Sequence, residues 1–372
     1  VGGVIGFNDT NVRIGSNLTG SSITSGVFNN FIGVGAGNLN TAGNYNNFFG
    51  SNAGCANTTG SNNNFLGGNT GRSNGIGCFN NFLGSGSGQC NVTGSYNNFF
   101  GRCAGQYNTT GAENNFIGKL AGRYNTSGTC NNFIGHLAGN KNTTGCYNNF
   151  FGALAGCANT TGYSNNFFGL NAGRCNISGS NNNFLGDSAG YCNTFGQYNN
   201  FFGNSAGYNN TTGGCNNFFG DDAGRNNTTG SYHNFLGRFA GNCNTTSCGN
   251  NFFGFSAGYG NTTGSYNNFF GWCAGFLNCT GSFNVVIGYC RNTPITNGNT
   301  QLVIGSGSND WIVGNSSYNV GIGTTNPTSK LHVFGDAQIG INTSQGVVLT
   351  SSNGTKYRLI VGDSGILSTV AV

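Results

Sequence analysis

The feature that most limits what this chain can become is a phrase, Asn-Asn-Phe-(Phe/Ile/Leu)-Gly, that returns every 17 residues. Its first Phe stands at Phe31, Phe48, Phe65, Phe82 and Phe99, and the same step continues through Phe116 and Phe150 to Phe269. Val286 and Val303 extend the register, giving seventeen coils with no insertion or deletion among them. A globular domain has no reason to keep such a count. A stack in which each unit touches only its neighbours does.

Within a coil the consensus runs N-N-F-(F/I/L)-G-x-x-A-G-x-x-N-T-T-G-x-x. Gly follows the apolar pair from Gly33 to Gly305, closes Ala-Gly from Gly37 to Gly275, and follows Asn-Thr-Thr with Ser247 as the one substitution. Three glycines per coil mark corners of positive φ or close backbone approach. They exclude helices and leave short strands between corners. Such strands are stable only when stacked in register, as parallel sheets rising ~4.8 Å per coil, so seventeen coils predict a rod about 80 Å long.

Neighbouring residues of a strand face opposite sides, so Phe99 and Phe100 cannot share one face. Phe99 goes with Asn97 and Gly101, and Phe100 with Asn98. The second Asn of the phrase recurs from Asn30 to Asn268. Pointing inward, it would form a ladder of stacked amides, which satisfies a group costly to bury alone. One apolar ladder fills the interior and the other emerges along the flank. Left bare, that second ladder forfeits ~1.5–3 kcal/mol per side chain and makes a greasy stripe. A partner chain is expected to cover it, and packing stripes about a common axis predicts a cyclic homo-oligomer of three.

Composition narrows the class. With 70 Gly, 2 Pro, no Met and 6% charged residues, the chain is not an ordinary set of domains. Its 32 Phe and 15 Tyr recur at fixed places, which argues against disorder. The net charge of +5 comes from 13 basic and 8 acidic residues spread without a basic run, so no nucleic-acid partner is expected. Asn or Gly interrupts every apolar pair, so no membrane span is expected. The start at Val1-Gly2-Gly3 suggests a processed or truncated N-terminus. Fifteen cysteines with no CxxC pair point to an oxidising exterior, their odd number leaving one thiol free or joined to another chain.

The phrase NNFFGxxAGxxNTTG resembles the repeats of fibre-like proteins of phages, large viruses and bacteria. More distantly it resembles the left-handed β-roll heads of trimeric autotransporter adhesins, which have a shorter period. The run Asn319-Val320-Gly321-Ile322-Gly323-Thr324-Thr325-Asn326-Pro327, continuing through Lys330-Leu331-His332-Val333, is similar to what precedes the C-terminal chaperone region of phage tail fibres. This sequence is not expected to include the self-cleaving chaperone domain of that family. The resemblance implies an all-β, left-handed parallel homotrimeric β-solenoid serving attachment or surface coating, outside a cell or on a virion, and names no receptor.

Three segments are expected: a start or cap over 1–25, the shaft over 26–309 and a C-terminal β unit over 310–372, where Trp311, Pro327 and a denser pattern (Leu331, Val333, Ile339, Ile341) replace the repeat. Tyr357–Val361 and Gly365–Val372 read as a hairpin ending in a strand. It can cap the stack or exchange with the next subunit to grow an end-to-end filament.

Among candidate modifications, Asn57, Asn91, Asn108, Asn125, Asn142, Asn159, Asn176, Asn210, Asn227, Asn244, Asn261 and Asn278 begin N-x-(S/T) triplets at one coil position. They predict a glycan stripe, although Asn-Thr-Thr-Gly is also turn chemistry. Cys175 with Cys192 and Cys273 with Cys290 are 17 residues apart and are candidate disulfides; Cys130 with Cys146 is one residue out of register. His136, His233 and His332 join no ligand cluster and read as surface substitutions, so no metal or other cofactor is expected. Glu113 is isolated, and Asp187 lies two coils from Asp221 and Asp222, so no enzyme is expected. Two binding readings remain as alternatives. Stacked Thr, from Thr58-Thr59 to Thr262-Thr263, can order water as ice-binding proteins do, and exposed Tyr and Asn can hold a cell-surface glycan.

Overall fold

The computed structural model describes residues 4–8, 10–16, 18–337, 347–352, 354–361 and 367–371. Two compact units divide the chain, 1–309 and 310–372. The larger is a parallel β-solenoid of 17-residue coils, with no helix among the described residues.

An antiparallel hairpin, Val4–Asn8 with Asn11–Gly15, opens the first unit. Its second strand pairs in parallel with Asn30–Ile32, the first strand of the repeat. From there each coil contributes one three-residue strand, such as Asn98–Phe100 or Asn149–Phe151. Each pairs with its equivalent one coil on, as Asn98 with Asn115, Phe99 with Phe116 and Phe100 with Ile117. The ladder ends at Leu302–Ser306.

Alternation decides what is buried. Phe99 and its mates from Phe31 to Phe269 are fully buried and stack ring on ring, with centroids 4.7–5.0 Å apart and planes within 4–12° along the column. This spacing matches the separation of hydrogen-bonded strands, so backbone and rings enforce one rise. Phe100 faces outward and is half-buried. The inward amide ladder is made by the first Asn of the phrase, not the second. Asn97 is fully buried, and its Oδ1 accepts from the backbone N–H (3.0 Å) and Nδ2 (3.2 Å) of Asn114. Asn98 sits on the flank with Phe100, where strand alternation puts it, and donates from Nδ2 to Asn115 Oδ1 at 2.8 Å.

The rest of the coil is turn, yet much of its backbone is paired from coil to coil. Gly105, Tyr107 and Thr109 donate to Ala121, Arg123 and Thr126 of the next coil, while Gly101, Cys103 and Glu113 donate to Leu83, Ser85 and Ser95 of the previous one. Each coil is thus bonded on both sides, as buried backbone requires. Gly105 has φ +55°, and a Cβ there would stand 2.4 Å from the Phe99 ring, so Ala-Gly is the corner that lets the ring in. Two other corners use L-residues at positive φ, here Tyr96 (59°) and Cys103 (56°).

Beyond the repeat the strand pattern changes. Asn309–Gly314 pairs antiparallel with Val320–Ile322, which pairs in parallel with Leu331–Val333. A meander follows, Val347–Thr350, Lys356–Val361 and Leu367–Ala371. The expected hairpin is its second half; Gly365 and Ile366, like Ile339 and Ile341, lie outside the described residues.

The two Phe columns predict opposite sensitivities. In the isolated chain, Phe150→Ala should open its own and adjoining coils by about 3–5 kcal/mol, and Phe151→Ala by less than half of that. Amide exchange resolved by coil measures both, and equal losses would refute the assignment of inner and outer columns.

Candidate functional site

A stack leaves only a few outward columns in which chemistry can sit. The asparagines of the predicted glycan stripe are not among them. Asn57, Asn91, Asn108, Asn125, Asn142, Asn159, Asn176, Asn210, Asn227, Asn244, Asn261 and Asn278 are all fully buried. Asn108 Nδ2 donates to Asn91 Oδ1 at 2.8 Å and to the Gly111 carbonyl at 2.9 Å, and its own Oδ1 accepts from Asn125. The nitrogen that would carry a sugar is committed to closing the turn. A glycan there and the folded coil exclude each other, so Asn-Thr-Thr-Gly is turn chemistry. Of the two Thr, Thr109 gives its hydroxyl to the Thr126 carbonyl at 2.9 Å, and Thr110 is exposed.

All fifteen cysteines are free thiols, Cys175, Cys192, Cys273 and Cys290 included. The reason is geometric. In-register side chains leave the backbone in parallel, so their Cβ atoms keep the coil spacing, which the ring column sets at 4.7–5.0 Å. A disulfide wants its Cβ atoms ~3.8 Å apart. Cys273 and Cys290 face each other beside a small cavity lined also by Phe276, Leu277 and Asn292. Burial, more than the neighbouring thiol, holds Cys273 above the usual thiol range.

The acids remain dispersed. Asp187 accepts from the Ser188 hydroxyl at 2.8 Å, Asp221 from the Asn204 backbone at 3.2 Å, and Asp222 pairs with Arg225 at 3.4 Å. Among the described residues no three His, Cys, Asp or Glu side chains gather as a metal would need. No helix among them is long and apolar enough to cross a membrane.

His233 is not on the surface. It replaces Asn in the inward ladder between Asn216 and Asn250 and is fully buried. Its Nδ1 accepts the Asn250 backbone N–H at 3.1 Å, so the ring proton sits on Nε2, 3.0 Å from the Ser247 carbonyl. Ser247, the one break in its glycine column, accepts from Asn250 Nδ2 at 2.9 Å where the imidazole has displaced an amide. Register alone would have placed His233 inside, since it stands two residues before Phe235 as Asn97 stands before Phe99.

What remains on the surface as a continuous feature is the flank of the strands. There Asn98 and its mates from Asn30 to Asn268 form an amide ladder beside the apolar one of Phe100. Leu66, Leu83, Ile117, Phe168, Leu185 and Phe219 of the apolar ladder are 37–41% exposed. No protein-family model, curated protein or solved structure matches this chain. The likeness to fibre repeats therefore stands on the motif itself.

Two outcomes follow. Protein made in a eukaryotic secretory host should be folded with Asn108 and its ladder mates unmodified by peptide mass spectrometry; sugar on them in the folded fraction would contradict the burial. Desolvation lowers the His233 pKa from 6.5 to about 4. Folded and unfolded chains both hold it neutral above 6.5, but below that the unfolded chain takes the proton first. Stability of this coil should fall by roughly 3 kcal/mol between pH 6.5 and 4. His233→Asn should remove that part of the loss, read as amide exchange around 231–250 at the two pH values.

Proposed function

We propose that this protein is a structural fibre: a rigid shaft, assembled as a parallel homotrimer of left-handed coils and displayed outside a cell or on a virion surface for attachment or coating. One observation carries the reading. The residue after each core Phe or Val, from Ile32 to Ile304, is Phe, Ile or Leu in all seventeen coils, although it is half exposed in the single chain. Columns that face open solvent accept Asp187, Arg238 or Lys119 without penalty. A column that admits only apolar residues while exposed is one that something covers.

The cover must run the length of the shaft at the same rise, and another copy of this chain does so. Three copies, and the left hand, follow the resemblance to fibre and adhesin repeats. Stacking supports the mechanical part, since no coil can leave without breaking backbone bonds to both neighbours. Attachment needs a shaft of this kind to hold a receptor-binding element away from its base; no catalytic step is assigned.

Sedimentation equilibrium of the full chain tests the reading. The expected mass is three chains, and a stable monomer at micromolar concentration would contradict it. A chain ending before Gly365 should still trimerise. Loss of long particles in that variant would assign end-to-end growth to the terminal strand.

A further inference from the structure

Inside the shaft every column repeats at 17 residues, but the outer apolar column has a beat of 51. Taking the coils in threes from Ile32, the second coil of each triplet carries Phe after the core Phe: Phe49, Phe100, Phe151, Phe202 and Phe253. The first coil never does, having Ile32, Leu83, Ile134, Leu185 and Leu236. The third takes either kind, Leu66 and Ile117, then Phe168, Phe219 and Phe270.

Two more outward columns keep the same beat. Tyr45, Tyr96, Tyr147 and Tyr198 stand on the flank of second coils, 54–61% exposed, and Arg72, Arg123, Arg174 and Arg225 mark third coils. The beat of these two columns holds through four triplets; in the fifth, Tyr stands instead in the first and third coils, Tyr232 and Tyr266, Gly249 and Phe276 take the former places, and Ile304 ends the Phe series. Copying of a three-coil block does not account for the beat. The column three residues past the core Phe has lost it, running Ser51, Arg102, Ala153, Asn204 and Phe255 in second coils.

Three chains in level register give no use to this period, because each coil would meet only its own equivalents. Their axis would also alternate between levels of three Phe and levels of three Ile or Leu. A stagger changes the geometry. If neighbours about a threefold axis are displaced by one coil, two contacts are offset by plus one and the third closes at minus two. Those offsets are equivalent only in a chain that repeats every three coils.

We infer that the trimer is staggered by one coil per chain. Every level at which all three chains overlap then holds one first, one second and one third coil, and therefore always one Ile or Leu beside at least one Phe. Packed volume stays nearly constant along the axis, as close packing demands. The partners are two further copies of this chain, whose flank carries the same 51-residue beat. The inference rests on the trimeric reading above and adds its register.

Cryo-electron microscopy of the full-chain assembly tests it, with neighbouring chains expected to be displaced by one coil, the 4.7–5.0 Å of the ring column. A pair of double variants gives a second reading. Ile134→Phe with Leu185→Phe fills first coils and creates levels of three Phe, and should raise the trimer dissociation constant about tenfold or more. Leu66→Phe with Ile117→Phe fills third coils, leaves an aliphatic residue at every level, and should change it by no more than about twofold. Absence of any trimer would sink the underlying reading. A trimer with level chains, or equal effects of the two variants, would overturn the stagger alone.

Discussion

Everything in the shaft depends on the stacking of like upon like at one rise. A Phe ring meets the next Phe ring at 4.7–5.0 Å, and the backbone of each strand meets its copy by parallel hydrogen bonds. Because both repeats coincide, an inserted or deleted residue would break rings, amides and backbone together. The unbroken count from Phe31 to Val303 is the imprint of that constraint. Asparagine is the polar residue that suits it, since one amide both donates and accepts and so can pass a hydrogen bond from coil to coil without a charge.

The same constraint separates structural from functional residues. Inward columns allow almost no variety, and the exception at His233 is accommodated by Ser247 in the following turn. Outward corners vary freely. The flank of Phe100 belongs to neither group: it is restricted as a core is, while half open to solvent. A surface under core-like restriction is best understood as the core of a larger object. That larger object would join the fold to the proposed role as a fibre, because a thin solenoid stiffens when its exposed stripes are packed together.

The architecture was legible in the sequence because repetition exposes register. The period, the all-β stack and the split of the apolar pair between one inner and one outer column followed from counting and strand alternation; which Phe lies inside did not. Four features were not. The amide ladder was placed on Asn98 although alternation puts Asn97 with the buried ring. The Asn-Thr-Thr asparagines match a glycosylation triplet, and nothing in a triplet says that the side chain turns inward to bond Gly111. The positive-φ corners at Tyr96 and Cys103 carry no sequence signal, because Tyr, Glu, Cys, Ser and Leu all occupy such corners and stacking, not propensity, holds them there. Cysteine spacing likewise suggested disulfides from Cα separation alone, whereas parallel side chains keep sulfurs from the required Cβ approach.

In the proposed trimer the half-exposed flank is covered by other copies of the chain. Hydroxyl-radical footprinting of the native particle, read residue by residue, tests it most directly. Phe195, on a different outward column and 53% exposed, serves as the internal standard. With the flank covered, Phe100, Phe151 and Phe202 stay unoxidised while Phe195 reacts; oxidation of the flank residues at a rate comparable to Phe195 would show the stripe bare.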